Sequence, residues 1–265
     1  MDSATCDQPD SPAQQRLDLW RKRVDKELAQ ATPVPSFETL RTPLREGFAL
    51  EPLYVTAPHA GHVAAAATQL ADEASKVGAN EAVIDLRPHA GDDAAQQLAT
   101  CLLRLVGVVR DESLERVFVQ VPVGADILRE IAKLRALRRI CGRLCELVSG
   151  ASSRPALSVH AFAVRAAPAA DLATNLIGNS ASVFAAITGG ADLVTPLAHS
   201  DAPEHRRLAD NVVRLALHEA HLAAVSDPAA GSYALETLTE SLCAAAWARF
   251  QVAFSATAKT QEAGR

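Results

Sequence analysis

The stretch RVFVQVPVGADILREIAKLRALRRICGRLCELVSGASSRPALSVHAFAV, residues 116–164, contains the pattern that decides the fold. Its two ends, RVFVQV (116–121) and ALSVHAFAV (156–164), are short and rich in apolar, β-branched residues, as buried strands are. Between them, DILREIAKLRALRRICGRLCELV (126–148) repeats apolar residues at the helical period. A strand, a helix and a second strand in this order predict a βαβ unit with parallel strands.

The same alternation continues on both sides of this unit. Two more strands are predicted, EAVIDL (81–86) and ADLVTP (191–196). Further helices are predicted over residues 63–78, 92–109, 171–188 and 204–224, and after Tyr233. Four strands are too few for a complete eight-stranded barrel. We therefore predict an α/β fold, either a partial or shortened (β/α) TIM-type barrel or an open parallel sheet.

The two ends of the chain differ from this alternating region. Residues 1–14 are polar and are predicted to be a disordered tail, and residues 254–265 a flexible tail. Residues 15–55 are predicted to form an N-terminal helix followed by a Pro-rich extended arm that contacts a partner, before a barrel domain at 56–253. The helix carries apolar residues at helical spacing: Leu17, Trp20, Val24 and Leu28.

Composition narrows the class of protein. The 265 residues carry a net charge of −5, which argues against nucleic acid as the main partner. The N-terminus has no signal-peptide pattern and no apolar run reaches the length of a membrane span, so we expect a soluble, cytoplasmic protein without a membrane partner. The five cysteines have no metal-ligand spacing, and Cys141 and Cys145, four apart on a helix, are expected to be reduced core residues.

Several segments together resemble the C-terminal part of the barrel in methylmalonyl-CoA mutases. They are EIAKLRALRRI (130–140), NLIGNSASVFAAITGGADLVTPL (175–197) and the chain from Arg207 to Gln251. DPAAGSY (227–233) resembles the family's Asp-Pro-Ala-Gly-Gly-Ser-Tyr signature through Asp227, Pro228, Gly231, Ser232 and Tyr233. Trp20, FETL (37–40) and EPLY (51–54) are similar to the start of the family's small subunit.

The resemblance implies a function that depends on other chains. The family builds a (β/α)8 barrel that holds an acyl-CoA, with a separate cobalamin-binding domain. This chain lacks the Asp-x-His-x-x-Gly signature of that domain, and the early barrel strands are missing between Tyr54 and Asn80. The resemblance therefore implies no cofactor in this chain, and cobalamin only through a partner subunit. The expected role is that of a non-catalytic small subunit, paired with a cobalamin-binding large subunit or with a second copy in a homodimer.

Three candidate site residues lie at the carboxyl end of the strand at 81–86. His89 aligns with the family histidine that polarises the thioester carbonyl of the substrate, although the tyrosine before it is absent here. Asp85 and Arg87 lie with it at this strand end, where barrel enzymes place their chemistry. His89 is therefore either a catalytic residue or an exposed relic of one, and Arg87 is a candidate for substrate binding.

Three further candidates lie later in the chain. Alternation places His160 on the same side of its strand as Ser158 and Phe162, either in the core or lining a pocket. Asn175 is a candidate substrate-binding residue, in a segment where the family's Asn-x-x-Arg becomes Asn-x-x-Gly. His199 is a further acid–base candidate.

These residues allow a second function. A stand-alone, cofactor-free isomerase, cyclase or lyase acting on an acyl thioester or polyketide-like substrate would use His89, Asp85, His160 and His199 as acid–base groups. A third possibility is a sensor that binds an acyl-CoA without turnover.

Other motifs favour structural roles. In HEAH (218–221) the histidines are three apart, unlike the spacing of four in zinc proteases, so we expect no metal there and a packed polar network around Glu219 and His221. Asp227 is expected to orient its turn through backbone hydrogen bonds. A solvated helix face is expected for the basic run Lys133, Arg135, Arg138, Arg139 and Arg143.

Overall fold

The computed structural model describes residues 12–30, 36–55, 69–70, 80–110, 114–149, 155–165 and 171–263. Its strands are β1 (Thr42–Pro43), β2 (Ala49–Leu50), β3 (Gln69–Leu70), β4 (Glu81–Asp85), β5 (Arg116–Val123), β6 (Ala156–Ala163) and β7 (Leu193–Thr195). Its α-helices are α1 (Pro12–Leu28), α2 (Ala94–Val108), α3 (Ile127–Ser149), α4 (Leu172–Thr188), α5 (Pro203–Arg214) and α6 (Tyr233–Ala263). The four predicted strands of the alternating region are confirmed as β4 to β7.

The main sheet is parallel, and its strands β4 to β7 lie in chain order. Its strands lie side by side in the order β3-β7-β6-β5-β4, so each strand from β4 to β7 pairs with the next one in sequence. Because parallel crossovers are right-handed, three steps in one direction place α2, α3 and α4 on the same face of the sheet. The register aligns Asp85, Gln120, His160 and Leu193 in one row across the strands.

Alternation along the strands separates a buried face from a half-buried one. On β5, Val117, Val119 and Val121 are buried among the helices, whereas Phe118 and Gln120 on the other face are only half-buried. A strand with branched apolar residues at every second position fills the space between sheet and helices on one side only. The polar row at Asp85, Gln120 and His160 belongs to the other face.

The last helix closes the structure over the outside of α2 and α3. Leu238, Leu242 and Ala246 of α6 are buried in the common core. The helix continues through residues 254–263, which the sequence analysis assigned to a flexible tail. Phe254 explains part of this extension, because its ring stacks on Phe250 one turn earlier at 5.5 Å.

The N-terminal region has two parts with different surroundings. No residue of α1 is buried, and its Trp20 packs edge-on against Phe37 of the 3-10 helix Phe37–Leu40 at 5.8 Å. The hairpin formed by β1 and β2, in contrast, packs Leu44 and Phe48 against the core of this same chain. Among the described residues, the hairpin therefore joins the core of the chain, whereas α1 buries none of its residues.

Two predicted helices differ from the structure. Of the helix predicted over 63–78, only Gln69 and Leu70 lie within the described residues, and they form β3, because their backbone pairs with β7. The helix predicted over 204–224 ends earlier: α5 passes into a π-helical turn at Leu215–Glu219, and His221 has a φ of 50°, which stops helical continuation. Glu219 and His221 are exposed, so the predicted packed polar network around them is wrong.

Within the described ranges, no helix is both long enough and apolar enough to cross a membrane.

Candidate functional site

The carboxyl end of β4 carries a tight ion pair. The Oδ1 atom of Asp85 accepts hydrogen bonds from the backbone N and the Nε of Arg87, both at 2.9 Å, and Oδ2 accepts one from Nη2 at 2.9 Å. These hydrogen bonds from Arg87 hold the pKa of Asp85 below its usual value. The carboxylate therefore stays ionised and fixes the guanidinium at the end of the strand.

Arg87 connects this pair to the neighbouring strands. Its guanidinium lies over the ring of Phe162 at 4.7 Å, a cation–π contact, and the Phe162 ring lies 4.1 Å from that of His160 on β6. The predicted placement of His160 and Phe162 on one side of the strand is confirmed. Three of the candidate residues, Asp85, Arg87 and His160, therefore meet in one cluster, which we call the Arg87 cluster together with Phe162 and Thr195.

His160 is buried within this cluster. It is 7% exposed, and its Nε2 lies 2.8 Å from Oγ1 of Thr195 on β7. Burial, assisted by the positive charge of Arg87, lowers the pKa of His160 to about 4. The ring is therefore neutral at pH 7, which suits a hydrogen-bonding role toward a polar ligand atom and excludes an imidazolium acid at that pH.

His89 lies in a separate hydrogen-bonded group. Its Nδ1 is 2.9 Å from Oδ2 of Asp92, and its Nε2 is 3.1 Å from Nη2 of Arg104. Because arginine can only donate, Nε2 must accept, and the proton is assigned to Nδ1, which donates to Asp92. Both ring nitrogens are engaged, so a substrate carbonyl could bind His89 only by displacing a partner.

Arg104 joins the two groups through the main chain. Besides contacting His89, it donates to the backbone carbonyl of Asp85. His89 and the Arg87 cluster therefore share a scaffold, although no side-chain hydrogen bond connects His89 with Arg87 or His160 in the described part of the chain.

The remaining two candidates lie elsewhere. The carbonyl of His199 accepts a hydrogen bond from Arg165 at 3.1 Å, and its ring packs edge-on against that of His205 at 5.2 Å. Asn175 is buried near the start of α4, where its backbone N donates to Asp171. Within the described ranges, no hydrogen bond joins either residue to the Arg87 cluster.

The signature turn is anchored by a buried arginine. Asp227 binds Arg135 of α3 through two hydrogen bonds, Nε to Oδ1 at 2.9 Å and Nη2 to Oδ2 at 3.0 Å. Arg135 is 0% exposed and also donates to Glu236 of α6 at 2.7 Å. The prediction that Asp227 acts through backbone hydrogen bonds is therefore incomplete: its carbonyl accepts from the N of Ala230, but its carboxylate ties the turn to α3.

The solvated face predicted for the basic run of α3 is wrong for most of its members. Arg135 and Lys133 are buried, and Arg138 is nearly so, with its guanidinium bound to Asp192 at 2.7 Å. Among these five residues only Arg143 is largely exposed. Arg135, Arg138 and Arg139 of this helix bind acidic side chains of other elements. Cys141 and Cys145 are buried, as predicted.

Sequence reasoning missed three residues of the site: Phe162, Thr195 and Arg104. The strand register aligns Phe162 with Thr195, so a signal for this pair was present in the alternation of β6 and in the last residue of β7. Nothing in the local sequence marked Arg104, which lies inside a helix and reaches the site from the side.

The described ranges contain no group of three or more His, Cys, Asp or Glu side chains placed to hold a metal ion.

Comparison of the sequence with known proteins identifies its family. The sequence model of the family described as methylmalonyl-CoA mutase matches residues 89–256, more than half of the chain. The chain is 37% identical over 194 residues to the methylmalonyl-CoA mutase small subunit of Streptomyces virginiae, which covers 66% of this chain and 31% of the relative. It is 32% identical over 152 residues to the small subunit of Propionibacterium freudenreichii subsp. shermanii, which covers 55% of this chain and 24% of the relative.

A similar match is found in Mycobacterium tuberculosis (strain ATCC 25618 / H37Rv). Its probable methylmalonyl-CoA mutase small subunit is 32% identical over 183 residues, with 61% of this chain and 29% of the relative covered. The matched region thus spans less than a third of the length of these relatives. The strand and helix pattern, the Asp227 turn and the extent of the family match lead to one conclusion: the chain belongs to the methylmalonyl-CoA mutase family.

Proposed function

We propose that the chain is a small-subunit-like partner in a mutase assembly, with a structural or regulatory role, and that it does not itself catalyse the cobalamin reaction. The relatives that support this are named as small subunits, and the chain matches only about a third of their length. Its partner would be a cobalamin-binding large subunit.

The observation that carries the proposal is the incomplete burial of the apolar side of α1 among the described residues. Leu17, Trp20 and Val24 are half-buried along one side of this helix, yet none of its residues is buried. A helix of 17 residues gains most of its stability from packing of an apolar side, so this side needs a partner. Its basic residues outnumber its acidic ones, which favours a partner groove bordered by carboxylates.

His89, as the structure places it, does not fit the role of a cobalt ligand. An imidazole that ligates cobalt needs a free ring nitrogen, and His89, at the carboxyl end of the strands, uses both of its ring nitrogens within the chain. The Asp-x-His-x-x-Gly sequence is also absent. We therefore assign no step of the radical chemistry to this chain.

A barrel segment is the architecture that goes with this role. Strands β4 to β7 follow one another in chain order with α2, α3 and α4 on one face, which is the arrangement of consecutive units in a (β/α) barrel. The half-buried polar row of the other face would then point toward the barrel interior.

The test compares two substitutions on α1. Leu17→Asp places a charge on the half-buried side, and Leu19→Asp places the same charge at a residue that is 62% exposed. Each variant would be co-expressed with the cobalamin-binding large subunit of the same organism, and the mass of the purified complex would be measured by light scattering.

We expect the wild-type chain and Leu19→Asp to form a heteromeric complex and Leu17→Asp to lose it. A wild-type chain that purifies alone, at the mass of a monomer or a homodimer, would contradict the proposal. Equal complex formation by both variants would support pairing with the large subunit but would show that α1 is not part of the interface.

A second function has its own supporting observation. The Arg87 cluster brings a fixed cation, an ionised carboxylate and a neutral imidazole together at the end of the strands. Such a cluster suits binding of a polarised carbonyl. A stand-alone isomerase, cyclase or lyase that acts on acyl thioesters would require such binding, and an acyl-CoA sensor would require it as well. Turnover of an acyl thioester by the purified chain without cobalamin, abolished by His160→Gln, would support the enzyme; binding without turnover would support the sensor.

A further inference from the structure

A small polar cavity lies at the carboxyl end of β5, apart from the Arg87 cluster. Its volume is about 110 Å³, and it opens between the N-terminal ends of α2 and α3. The charged and amide side chains that line it are Arg45, Asp92, Gln97, Arg129, Glu130 and Lys133. Arg45 is supplied by the hairpin between β1 and β2, so the N-terminal region forms part of the wall.

The acidic side chains of the wall are engaged within the chain. The ammonium of Lys133 forms an ion pair with Glu130 and donates to Oε1 of Gln97 at 3.1 Å and to the carbonyl of Pro122 at 2.7 Å. The ammonium is thus engaged by one ion pair and two hydrogen bonds, and Oε2 of Glu130 is buried with no hydrogen bond besides this ion pair. Asp92 is bound by His89 at 2.9 Å.

The arginines of the wall have donors to spare. The Nε of Arg129 is buried and makes no hydrogen bond, and its nearest carboxylate oxygen, on Asp126, is 3.6 Å away. Arg45 makes no hydrogen bond or ion pair to any described residue. A buried donor without an acceptor is costly, so the Nε of Arg129 calls for an acceptor.

The hairpin that carries Arg45 is held in place by its neighbour. Glu46 is 7% exposed, and its Oε1 accepts a hydrogen bond from the backbone N of Ala94, at the start of α2, at 3.0 Å. Its Oε2 is buried and has no hydrogen bond, so Glu46 adds a single hydrogen bond to the packing of Leu44 and Phe48 that holds the hairpin. Gly47, with a φ of +93°, closes the turn.

We propose that this cavity binds a small oxyanion, a carboxylate or a phosphate, between Arg45 and Arg129, and that the hairpin Leu44–Phe48 is its lid. Two guanidinium groups match the geometry of such oxyanions, and three cations against two acids in the wall leave an excess of positive charge. At about 30 Å³ for each water, the volume corresponds to between about three and four waters, which is room for a small ligand only. The proposal does not depend on the partner subunit.

The experiment is calorimetric titration of the full chain with propionate and, separately, with inorganic phosphate, in a chloride buffer free of oxyanions. Arg45→Ala and Arg129→Ala each remove one guanidinium. Arg207→Ala is the matched control, because Arg207 is exposed on α5 and lies outside the cavity. We expect saturable binding to the wild type and the control, weakened about tenfold or more in the two cavity variants.

A second readout reports the lid. Trypsin cuts after arginine, and the ligand should slow cleavage after Arg45 several-fold in the wild type by keeping the hairpin closed. Binding of one probe alone would support the site and assign its ligand as a carboxylate or as a phosphate. If neither probe binds, the proposal is overturned, and it is likewise overturned by binding that neither cavity variant weakens.

Discussion

His160 combines burial with a titratable ring, and this makes stability depend on pH in a defined window. Its pKa in the folded chain is about 4, below the value of about 6.5 for an unfolded chain. Between these values the unfolded chain binds more protons than the folded one. Stability is therefore fully present above pH 6.5 and is lost as the pH falls toward 4.

We predict that the free energy of unfolding falls by the order of 1 to 2 kcal/mol between pH 7 and pH 5 because of this ring. His160→Gln keeps a hydrogen-bonding group near Thr195 but does not titrate, so its profile should be flatter over the same range. Urea denaturation at each pH measures the effect. His221→Gln, at an exposed position, is the control and should follow the wild type; a wild-type profile that is flat between pH 7 and pH 5 would contradict the assignment.

Arg135 is the second residue whose substitution is expected to change the stability of the chain strongly. It neutralises two buried carboxylates, those of Asp227 and Glu236, and its removal leaves both without their main partner. We predict that Arg135→Met destabilises the chain by about 3 to 5 kcal/mol. Arg143→Met, on the exposed side of the same helix, should cost less than about 1 kcal/mol. Similar costs in urea denaturation for the two variants would show that the buried network is not needed for stability.

Glu236 adds a separate acid-sensitive contribution. Burial by itself would raise the pKa of Glu236, but the hydrogen bond and charge of Arg135, with the backbone hydrogen bond from Gly231 and the charge of Arg139, together outweigh it and lower this pKa below its usual value. Stability from this group is therefore present above about pH 4.5 and is lost at lower pH, below the window of His160.

At the scale of elements, the contact between α3 and α4 depends on a glycine. A Cβ atom at Gly189, at the end of α4, would lie 2.8 Å from Cδ1 of Leu134 on α3 and 2.8 Å from the carbonyl oxygen of Ala185. We predict that Gly189→Ala costs about 1 to 3 kcal/mol, because the two helices must separate. Thermal or urea unfolding would measure this cost.

At Gly107, substitution by alanine is expected to stabilise the chain. It lies inside α2, and a Cβ there would meet no atom within 4 Å. Gly107→Ala should therefore stabilise the chain, by up to about 1 kcal/mol, through helix propensity alone. If both alanine variants changed stability in the same direction, the close approach at Gly189 would not be the reason for its effect.

The elements also show which parts of the fold a sequence can predict. Strand β5 and helix α3 have strong, uninterrupted periodicity, and both were predicted within a few residues. The end of α5 was not, because a π-helical turn and a positive φ at His221 have no marked sequence signal. The burial of Arg135 was missed because its partners follow about a hundred residues later in the chain.

The candidate site was predicted to a similar degree. Asp85, Arg87 and His160 follow or lie on strands whose register is fixed by alternation, so their meeting could be anticipated from the rule that strand ends gather. His199 and Asn175 also come near strand ends, yet the chain directs them into other contacts. Sequence spacing alone could not separate these cases, since side-chain partners such as Thr195 and Arg104 decide them.

At the scale of the whole molecule, α1 should behave as a separate unit in the isolated chain. We predict that amides of residues 12–28 exchange with deuterium before those of α3 have begun to do so, because α1 has no buried residue. Addition of the large subunit should slow exchange in α1 selectively. Hydrogen exchange with mass spectrometry measures both states, and slow exchange of α1 in the isolated monomer would show that the helix already has a partner within the chain.

The link between Arg135 and Asp227 has a consequence for how the chain folds. The two residues are 92 positions apart, so their contact raises the contact order and can form only after a long loop has closed. Local βα units can assemble earlier, which places the Asp227 turn among the last regions to become native. Loss of the Asp227 carboxylate should then accelerate unfolding more than it slows refolding. The turn that marks the family would thus slow the unfolding of the native chain without helping it to fold.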